Sequence, residues 1–347
     1  MRRHRGLLVV TVAGLLVLSG CLGFGLGSDT GTADDEVAGD LEIHHIDVGQ
    51  ADATLLVTPA DETILIDTGD WRPDGEQVID YLEDEGIDRI DHLVATHAHA
   101  DHIGGHAAVI EHVEEHGDGV GAAYDSGVVH TSQTYDNYLD AVEEYEVTLF
   151  EVAEGDTLPL EGDSLEATVL NPPEGDSGTD FHYNSVTLLV EYDEFAYLTT
   201  GDAEADAEQR LVDDRGDDLD AEGYQAGHHG SSTSSTEPFL DAVDPEITVI
   251  SSALESQYGH PDDEVLESFA DRGVETYWTA VHGDVVLTTD GSETSVTTEH
   301  EEPTEPETLL EYKHEAHSDE QAALESTVPP LQSPLQTAAS PALEVGP

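Results

Sequence analysis

Four side chains that bind metals, His97, His99, Asp101 and His102, fall within six consecutive residues. They stand directly behind the apolar run Leu93-Val94-Ala95 and ahead of Gly104-Gly105. Asp91 to Thr96 reads as a short buried strand, so the fold must present a ligand-rich turn at a strand end. Close histidine pairs arise by chance in a chain with 19 histidines, and lone surface histidines are ordinarily solvated. Four ligands in strict order behind an apolar strand are not accounted for that way. Imidazole suits zinc, and the carboxylate admits harder ions.

Charge is the second constraint. Asp and Glu number 78 against nine Lys and Arg, Lys313 is the only lysine, and the formal net charge is −69. Such a chain repels itself in dilute buffer. At molar salt the Debye length falls to roughly 3 Å and the repulsion is screened. The composition therefore predicts a protein suited to a hypersaline medium and unfolded at low salt. Acidity as a mark of disorder fits poorly, because apolar strands and helices run through most of the chain. The scattered Arg72, Arg89, Arg210, Arg215 and Arg272 form no basic patch, which argues against strong duplex binding by counterion release.

Residues 1–21 read as a signal or anchor: Arg2, Arg3 and Arg5, an apolar run from Leu7 to Leu18, then Leu18-Ser19-Gly20-Cys21 with the only cysteine. The segment resembles a lipoprotein signal of haloarchaeal type, which implies cleavage before Cys21 and lipid on its sulfur. Arg2-Arg3 is compatible with twin-arginine export. An uncleaved anchor helix is the alternative, since apolar and glycine residues continue to Gly27. Either reading places the body at the outer face of the membrane. Residues 22–40 read as a flexible tether, 41–298 as one folded domain, and 299–347 as an acidic, Pro-containing tail, mostly disordered. Within the domain, strands alternate with helices; examples are a helix from Gly75 to Glu85 and a hairpin turning at Asp193-Glu194. The chemistry-bearing strings Thr200-Gly201-Asp202 and Gly227-His228-His229-Gly230-Ser231 again follow strands.

The ordered strings Asp47-Val48-Gly49-Gln50-Ala51-Asp52, Leu65-Ile66-Asp67-Thr68-Gly69, Thr96 to Gly105, Asn184-Ser185, Thr200-Gly201-Asp202, His228-His229-Gly230-Ser231 and Tyr258-Gly259-His260-Pro261 carry a resemblance. Over Leu41 to Thr298 the chain resembles the metallo-β-lactamase-fold hydrolases, and within them the ComEC-type, competence-related extracellular hydrolase domain. The resemblance implies an α/β fold, a four-layer αββα sandwich. It implies two divalent metal ions, Zn2+ first and Mn2+ or Mg2+ as alternatives. His97 and His99 would hold one ion and Asp101 and His102 the other, with Asp202 bridging. One of His228 and His229 would complete the second site. Asp67 and Asn184 would act from behind the ligands, Asp67 by fixing a histidine's tautomer. Many members supply a third histidine to the first ion. Here His106, His112, His116, His130 and His182 offer no clear match, and His182 is the one retained.

Such a site hydrolyses: a hydroxide between the metals attacks carbon or phosphorus, Asp101 or Asp202 orients it, and a donor stabilises the developing charge. His260 is the expected donor, and Ser231, Thr279, Ser126 and Tyr135 are candidate pocket residues. The resemblance implies a phosphodiesterase or nuclease acting on DNA, with single strands favoured, or on small phosphodiesters. The alternatives are a β-lactam or thioester hydrolase, a phosphorylcholine esterase-like envelope enzyme, and a catalytically silent binding module. The N-terminal lipid or anchor makes the membrane a partner, and no protein partner is expected.

Overall fold

The computed structural model describes residues 39–327 except 163 and 176, and the side chains of 217 and 319–327 are not described. The signal, Cys21 and almost all of the tether therefore lie outside the described residues. The strands are β1 (Leu41–His45), β2 (Thr54–Val57), β3 (Thr63–Ile66), β4 (Arg89–Val94), β5 (Gly119–Asp125), β6 (Leu149–Glu151), β7 (Leu165–Asn171), β8 (Thr187–Tyr192), β9 (Phe195–Thr199), β10 (Gly223–Gln225), β11 (Ile247–Ile250), β12 (Glu275–Trp278), β13 (Val285–Thr289) and β14 (Thr294–Thr298). They form an eight-stranded sheet, β14-β13-β1-β2-β3-β4-β5-β6, and a six-stranded sheet, β12-β11-β10-β9-β8-β7. In both, one half is antiparallel and the other, β3 to β6 or β9 to β12, is parallel.

Strand alternation explains the layering. Ile64 and Ile66 of β3 and Leu188 and Val190 of β8 point into one core between the sheets. Their neighbours Leu65 and Leu189 point outward, because successive side chains take opposite faces. Leu65 meets helices α1 (Glu76–Glu85), α2 (His106–His116) and α3 (Gln133–Glu144) through Val78, Leu82, Val109, Ile110 and Tyr138. Leu189 meets α4 (Ala205–Arg215), α5 (Glu237–Val243) and α6 (Asp263–Arg272) through Leu211, Leu240 and Phe269. Both sheet faces are thus covered, giving the helix–sheet–sheet–helix sandwich. After β12 a single turn, α7 (Thr279–His282), leads to β13.

The tail reading needs correction over part of its length. Pro306–Thr327 forms helix α8, which packs on α6 and β12. Leu309 is fully buried, Leu310 and Tyr312 pack beside it, and the single lysine, Lys313, is buried with its Nζ 2.5 Å from Asp263 at the start of α6. The sequence hid this helix because glutamates are spread along it, while the apolar contacts described come from the short stretch Leu309 to Lys313. Residues beyond 327 lie outside the described part. Truncating the anchor, Leu309→Ala, should lower stability by about 2–5 kcal/mol. Denaturant unfolding of parent and variant at one fixed molar salt concentration measures this, and equal midpoints would show that α8 contributes nothing.

Candidate metal centre

Each functional side chain leaves a strand end and enters the crevice between the sheets, where the two parallel halves open. Asp67 follows β3, the His97–His102 turn follows β4, Asp202 follows β9, and His228-His229 follow β10. The turn is pinned from below. Asp67 accepts hydrogen bonds from the Thr96 backbone N–H (2.9 Å) and hydroxyl (2.6 Å) and lies 2.7 Å from Nδ1 of His102. A carboxylate on Nδ1 fixes the tautomer and turns Nε2 outward. Glycine is required at two places. A Cβ at Gly201, φ +50°, would lie 2.5 Å from Ser185 Oγ and 2.7 Å from Thr96 Cβ. One at Gly104 would lie 2.2 Å from the Trp71 nitrogen, so the ligand turn and the 70–71 loop touch backbone to backbone.

Among the described residues three groups of ligand atoms are each gathered within 4.8 Å: two at the heart of the centre, His97, His99, His182 and Asp202, and Asp52, His102, Asp202 and His229, and a third beside them, His182, Glu204 and His228. Asp202 belongs to the first two. Its Oδ2 is 3.5 Å from His97 Nε2 and its Oδ1 3.1 Å from His102 Nε2. His229 Nε2 lies 3.5 Å from Asp101 Oδ2 and 3.8 Å from Asp202 Oδ1. The Nε2 atoms of His97, His102 and His229 and Oδ1 of Asp202 are buried without a hydrogen-bond partner. Buried polar atoms are ordinarily satisfied. Four that converge unsatisfied, two of them close but not aligned for hydrogen bonding, fit divalent ions.

The electrostatics agree. Burial opposes charge on Asp202, but His102, His229 and His97 outweigh it and hold the carboxyl well below its ordinary range. Burial opposes protonation of His102 and His229, yet Asp202 and Asp67 raise the first well above its ordinary value, and Asp52 and Asp202 raise the second. His97, with less carboxylate about it, is lowered by burial. The crevice demands positive charge, from protons or from metal ions.

His229 faces the second group, while His228 is partly exposed, with Nε2 3.5 Å from Asp202 and Nδ1 3.3 Å from Glu204. Both occupy left-handed backbone, φ 50° and 57°, a conformation non-glycine residues seldom adopt. His182 answers the search for a third histidine: its ring is 5.2 Å from His99, and its Nδ1 is 3.1 Å from Glu204. Asn184 does not touch the cluster. It braces the His182 loop, its Nδ2 donating to the Asp180 carbonyl at 2.7 Å and its Oδ1 accepting from Ser177. Its neighbour Ser185 holds Asp202, accepting from the Asp202 N–H at 3.1 Å.

Asp52 has no counterpart among the residues singled out from sequence. Although it lies within ligand spacing, it sits on the Nδ1 side of the rings, 3.6 Å from His229 and 3.9 Å from His102, with Gln225 Nε2 3.1 Å from its other oxygen. The orienting role that Asp67 has for His102 falls for His229 to the Ser251 carbonyl, 3.1 Å from its Nδ1, and Asp52 adds negative charge behind both rings. Its only sequence signal was its place in the Asp47–Asp52 string.

His260 lies beside the cluster, 5.7 Å from His228 and 6.4 Å from His229, ring to ring. Burial, then His229 and His228, lower its pKa to about 4, so it is a neutral imidazole at neutral pH. Ser231 Oγ reaches the site indirectly through Thr233 Oγ1 (3.0 Å), itself 3.3 Å from His228. Ser126, Tyr135 and Thr279 need correction as pocket residues, since each is placed by structural surroundings of its own. Tyr135 is a core side chain packed by Tyr138, Ser126 lies in the turn between Asp125 and Gly127, and Thr279 is buried in α7. His106 bonds to Thr68 (2.7 Å), His112 stacks on His116, and His130 packs on Phe181.

Residues 46–253 match the metallo-β-lactamase superfamily model, more than half of the chain. The chain belongs to that superfamily and is a metal-dependent hydrolase of the class. ComE operon protein 3 of Bacillus subtilis is 30% identical over 242 residues, covering 65% of this chain and 30% of that protein. Competence protein ComA of Neisseria gonorrhoeae is 30% identical over 239 residues, covering 68% and 30%. The chain therefore spans about a third of the length of these relatives. Among solved structures, the metallo-β-lactamase fold protein YhfI from Bacillus subtilis is 11% identical with a TM-score of 0.46, covering 69% of this chain and 96% of that one.

Two outcomes follow from the geometry. Asp67→Asn should weaken metal affinity by about 10- to 100-fold, read by chelator competition; unchanged affinity would refute the orienting role. Asp125, at the end of β5, is pushed up to about 6 by burial, with Glu151 adding to the shift. A raised folded-state pKa means stability present below the unfolded value near 3.8 and lost as pH rises through 6, about 3 kcal/mol from this group. Asp125→Asn should flatten the pH dependence of unfolding between pH 4 and 6 by that amount, and a slope equal to the parent's would contradict it.

Proposed function

We propose that this hydrolase cleaves phosphodiesters, with DNA or short nucleic-acid strands as its substrates, at the outer face of the membrane and in molar salt. The observation that carries the reading is the doubly shared, buried Asp202 with its ring of unsatisfied imidazole nitrogens, in a chain whose similar proteins are named for competence. Divalent ions, Zn2+ first and Mn2+ or Mg2+ as alternatives, would be held by His97, His99, His182, Asp101, His102, His229 and Asp202. When bound they supply Lewis acidity and an activated water near neutral pH.

The remaining work falls to the side chains. Asp101 is the more open carboxylate of the cluster, and His229 and His102 overcome the effect of burial to keep it ionised. It can therefore accept a hydrogen bond from the attacking water and orient it. His260, neutral at working pH, offers one N–H to the charge developing on a non-bridging oxygen. Asp67 behind His102 and the Ser251 carbonyl behind His229 keep the rings turned so that Nε2 faces the reacting centre. The acidic surface and the signal-like N-terminus support an exported protein working where salt screens its charge.

A lactam or thioester substrate is the second reading, favoured by His182, which gives the first group three histidines. Hydrolysis of bis-p-nitrophenyl phosphate and of single-stranded DNA at molar salt with Mn2+ or Zn2+ separates the two. We expect metal-dependent cleavage that falls to background in Asp202→Ala. A folded, metal-loaded parent that spares both diesters but opens a chromogenic cephalosporin would replace the phosphodiester reading.

A further inference from the structure

Among the described residues, three large apolar side chains stand exposed: Trp71 (53%), Val129 (72%) and Tyr258 (62%). All three are on loops packed against the segments that carry the metal ligands. Trp71 follows the Asp67-Thr68-Gly69 turn, and its backbone nitrogen fills the space a side chain would need at Gly104, directly behind the His97–His102 turn. Val129 precedes His130, whose ring packs against Phe181 at 4.9 Å, and Phe181 in turn lies 5.2 Å from His99. Tyr258 starts a ladder of rings, 5.8 Å to His260 at 31°, then 6.4 Å to His229 at 23°. Large apolar side chains left exposed on segments packed against a polar cluster mark a binding surface.

What binds there is constrained by charge. Each of the six Arg and Lys side chains among the described residues already sits against a carboxylate. Arg72 is on Asp70, Arg89 on Asp91, Arg210 and Arg215 on Glu154, Arg272 on Glu237 and Asp241, and Lys313 on Asp263. No cation is left to track a phosphate backbone, and at molar salt such contacts would bring little affinity. A nucleic-acid strand can still be held through its bases. Stacking on aromatic rings is uncharged, tolerant of sequence and effective in salt, and the bases are free to stack only when unpaired.

We propose that Tyr258, whose ring leads through His260 to His229, and Trp71, exposed on the loop packed against the ligand turn with the Arg72 guanidinium 5.2 Å over its ring, are base-stacking platforms flanking the metal centre. They select single-stranded nucleic acid over duplex and add affinity that a small diester cannot gain. The inference rests on the phosphodiesterase reading and specifies its substrate. It also assigns the roles: the metal centre takes the scissile phosphate, and the two rings take bases of the same strand.

The chain has two tryptophans, and Trp278 is fully buried, so fluorescence quenching by an added strand reports Trp71. The test titrates the full-length protein with oligodeoxythymidylate at molar salt and follows emission. In parallel, KM and kcat are measured for that oligonucleotide and for bis-p-nitrophenyl phosphate in the parent, Trp71→Ala, Trp71→Phe and Tyr258→Ala. We expect saturable quenching. We also expect KM for the oligonucleotide to rise on the order of tenfold in each alanine variant, with kcat unchanged, near-parent values in Trp71→Phe, and identical kinetics on the small diester. Absence of quenching, or oligonucleotide KM values equal to the parent's, overturns the platforms while the diesterase reading stands. If the parent hydrolyses neither diester, that reading falls, and saturable quenching or its absence decides whether the rings bind a strand.

Discussion

The bridging position of Asp202 is the constraint to which the rest of the structure answers. A carboxylate this buried is unfavourable unless opposite charge surrounds it, and here that charge comes from across the seam between two sheets. The His97–His102 turn arrives from the first sheet at the end of β4. Asp202 and His229 arrive from the second, after β9 and β10. The core between the sheets fixes their separation, because Ile66 and Val94 on one side meet Val186 and Leu188 on the other just below the crevice. Ser185 then ties the Asp202 backbone to the strand beside it. A change in sheet spacing would therefore be felt at the metal ligands before it was felt elsewhere.

Buried carboxylates that face the backs of imidazoles recur through the site. Asp67 stands behind His102 and Asp52 behind both His102 and His229, and Gln225 in turn holds Asp52 while reaching Thr54 and Thr199. The chain runs from β2 through β10 into the crevice, so ring orientation is coupled to the core. With Nδ1 engaged from behind, Nε2 has a single direction available. That explains why the unsatisfied Nε2 atoms of His102 and His229 both turn toward Asp202.

How much of this was legible in sequence depended on whether the signal was local. The four-ligand turn, Asp202 and the histidine pair each follow an apolar run that could only be a strand, so their placement at strand ends could be read directly. The partition of His228 from His229 could not, since both are in left-handed backbone whose direction is set by hydrogen bonds to Gly201 and Ser231. His182 was one of five histidines in its segment. What singles it out is the fold of its loop, braced locally by Asp180 and Asn184 and from β7 by Asn171, which brings it against His97 and His99. Tyr135 looked like a polar-tipped pocket residue because its neighbours are polar, yet helical spacing with Tyr138 turns it into the core. Helix α8 was missed for the converse reason: one short buried stretch is too brief to register against so many glutamates.

The acidic surface and the metal centre are consequences of one economy of charge. With 78 acidic residues and nine basic ones, every Arg and Lys side chain among the described residues is paired with a carboxylate, and several join separate segments, as Lys313 holds α8 to α6 and Arg210 and Arg215 hold α4 to Glu154. A protein so composed cannot recognise an anion with side-chain cations. Positive charge from outside has a place built to retain it among the described residues, the crevice where Asp202, Asp101, Asp67 and Asp52 gather among histidines. Elsewhere the acidic excess keeps the surface hydrated, and in the crevice the same residue types, desolvated and paired with imidazole, concentrate metal. Burial alone separates the two roles, which is why the depth of the crevice, set by the packing of the two sheets, determines the chemistry of this chain.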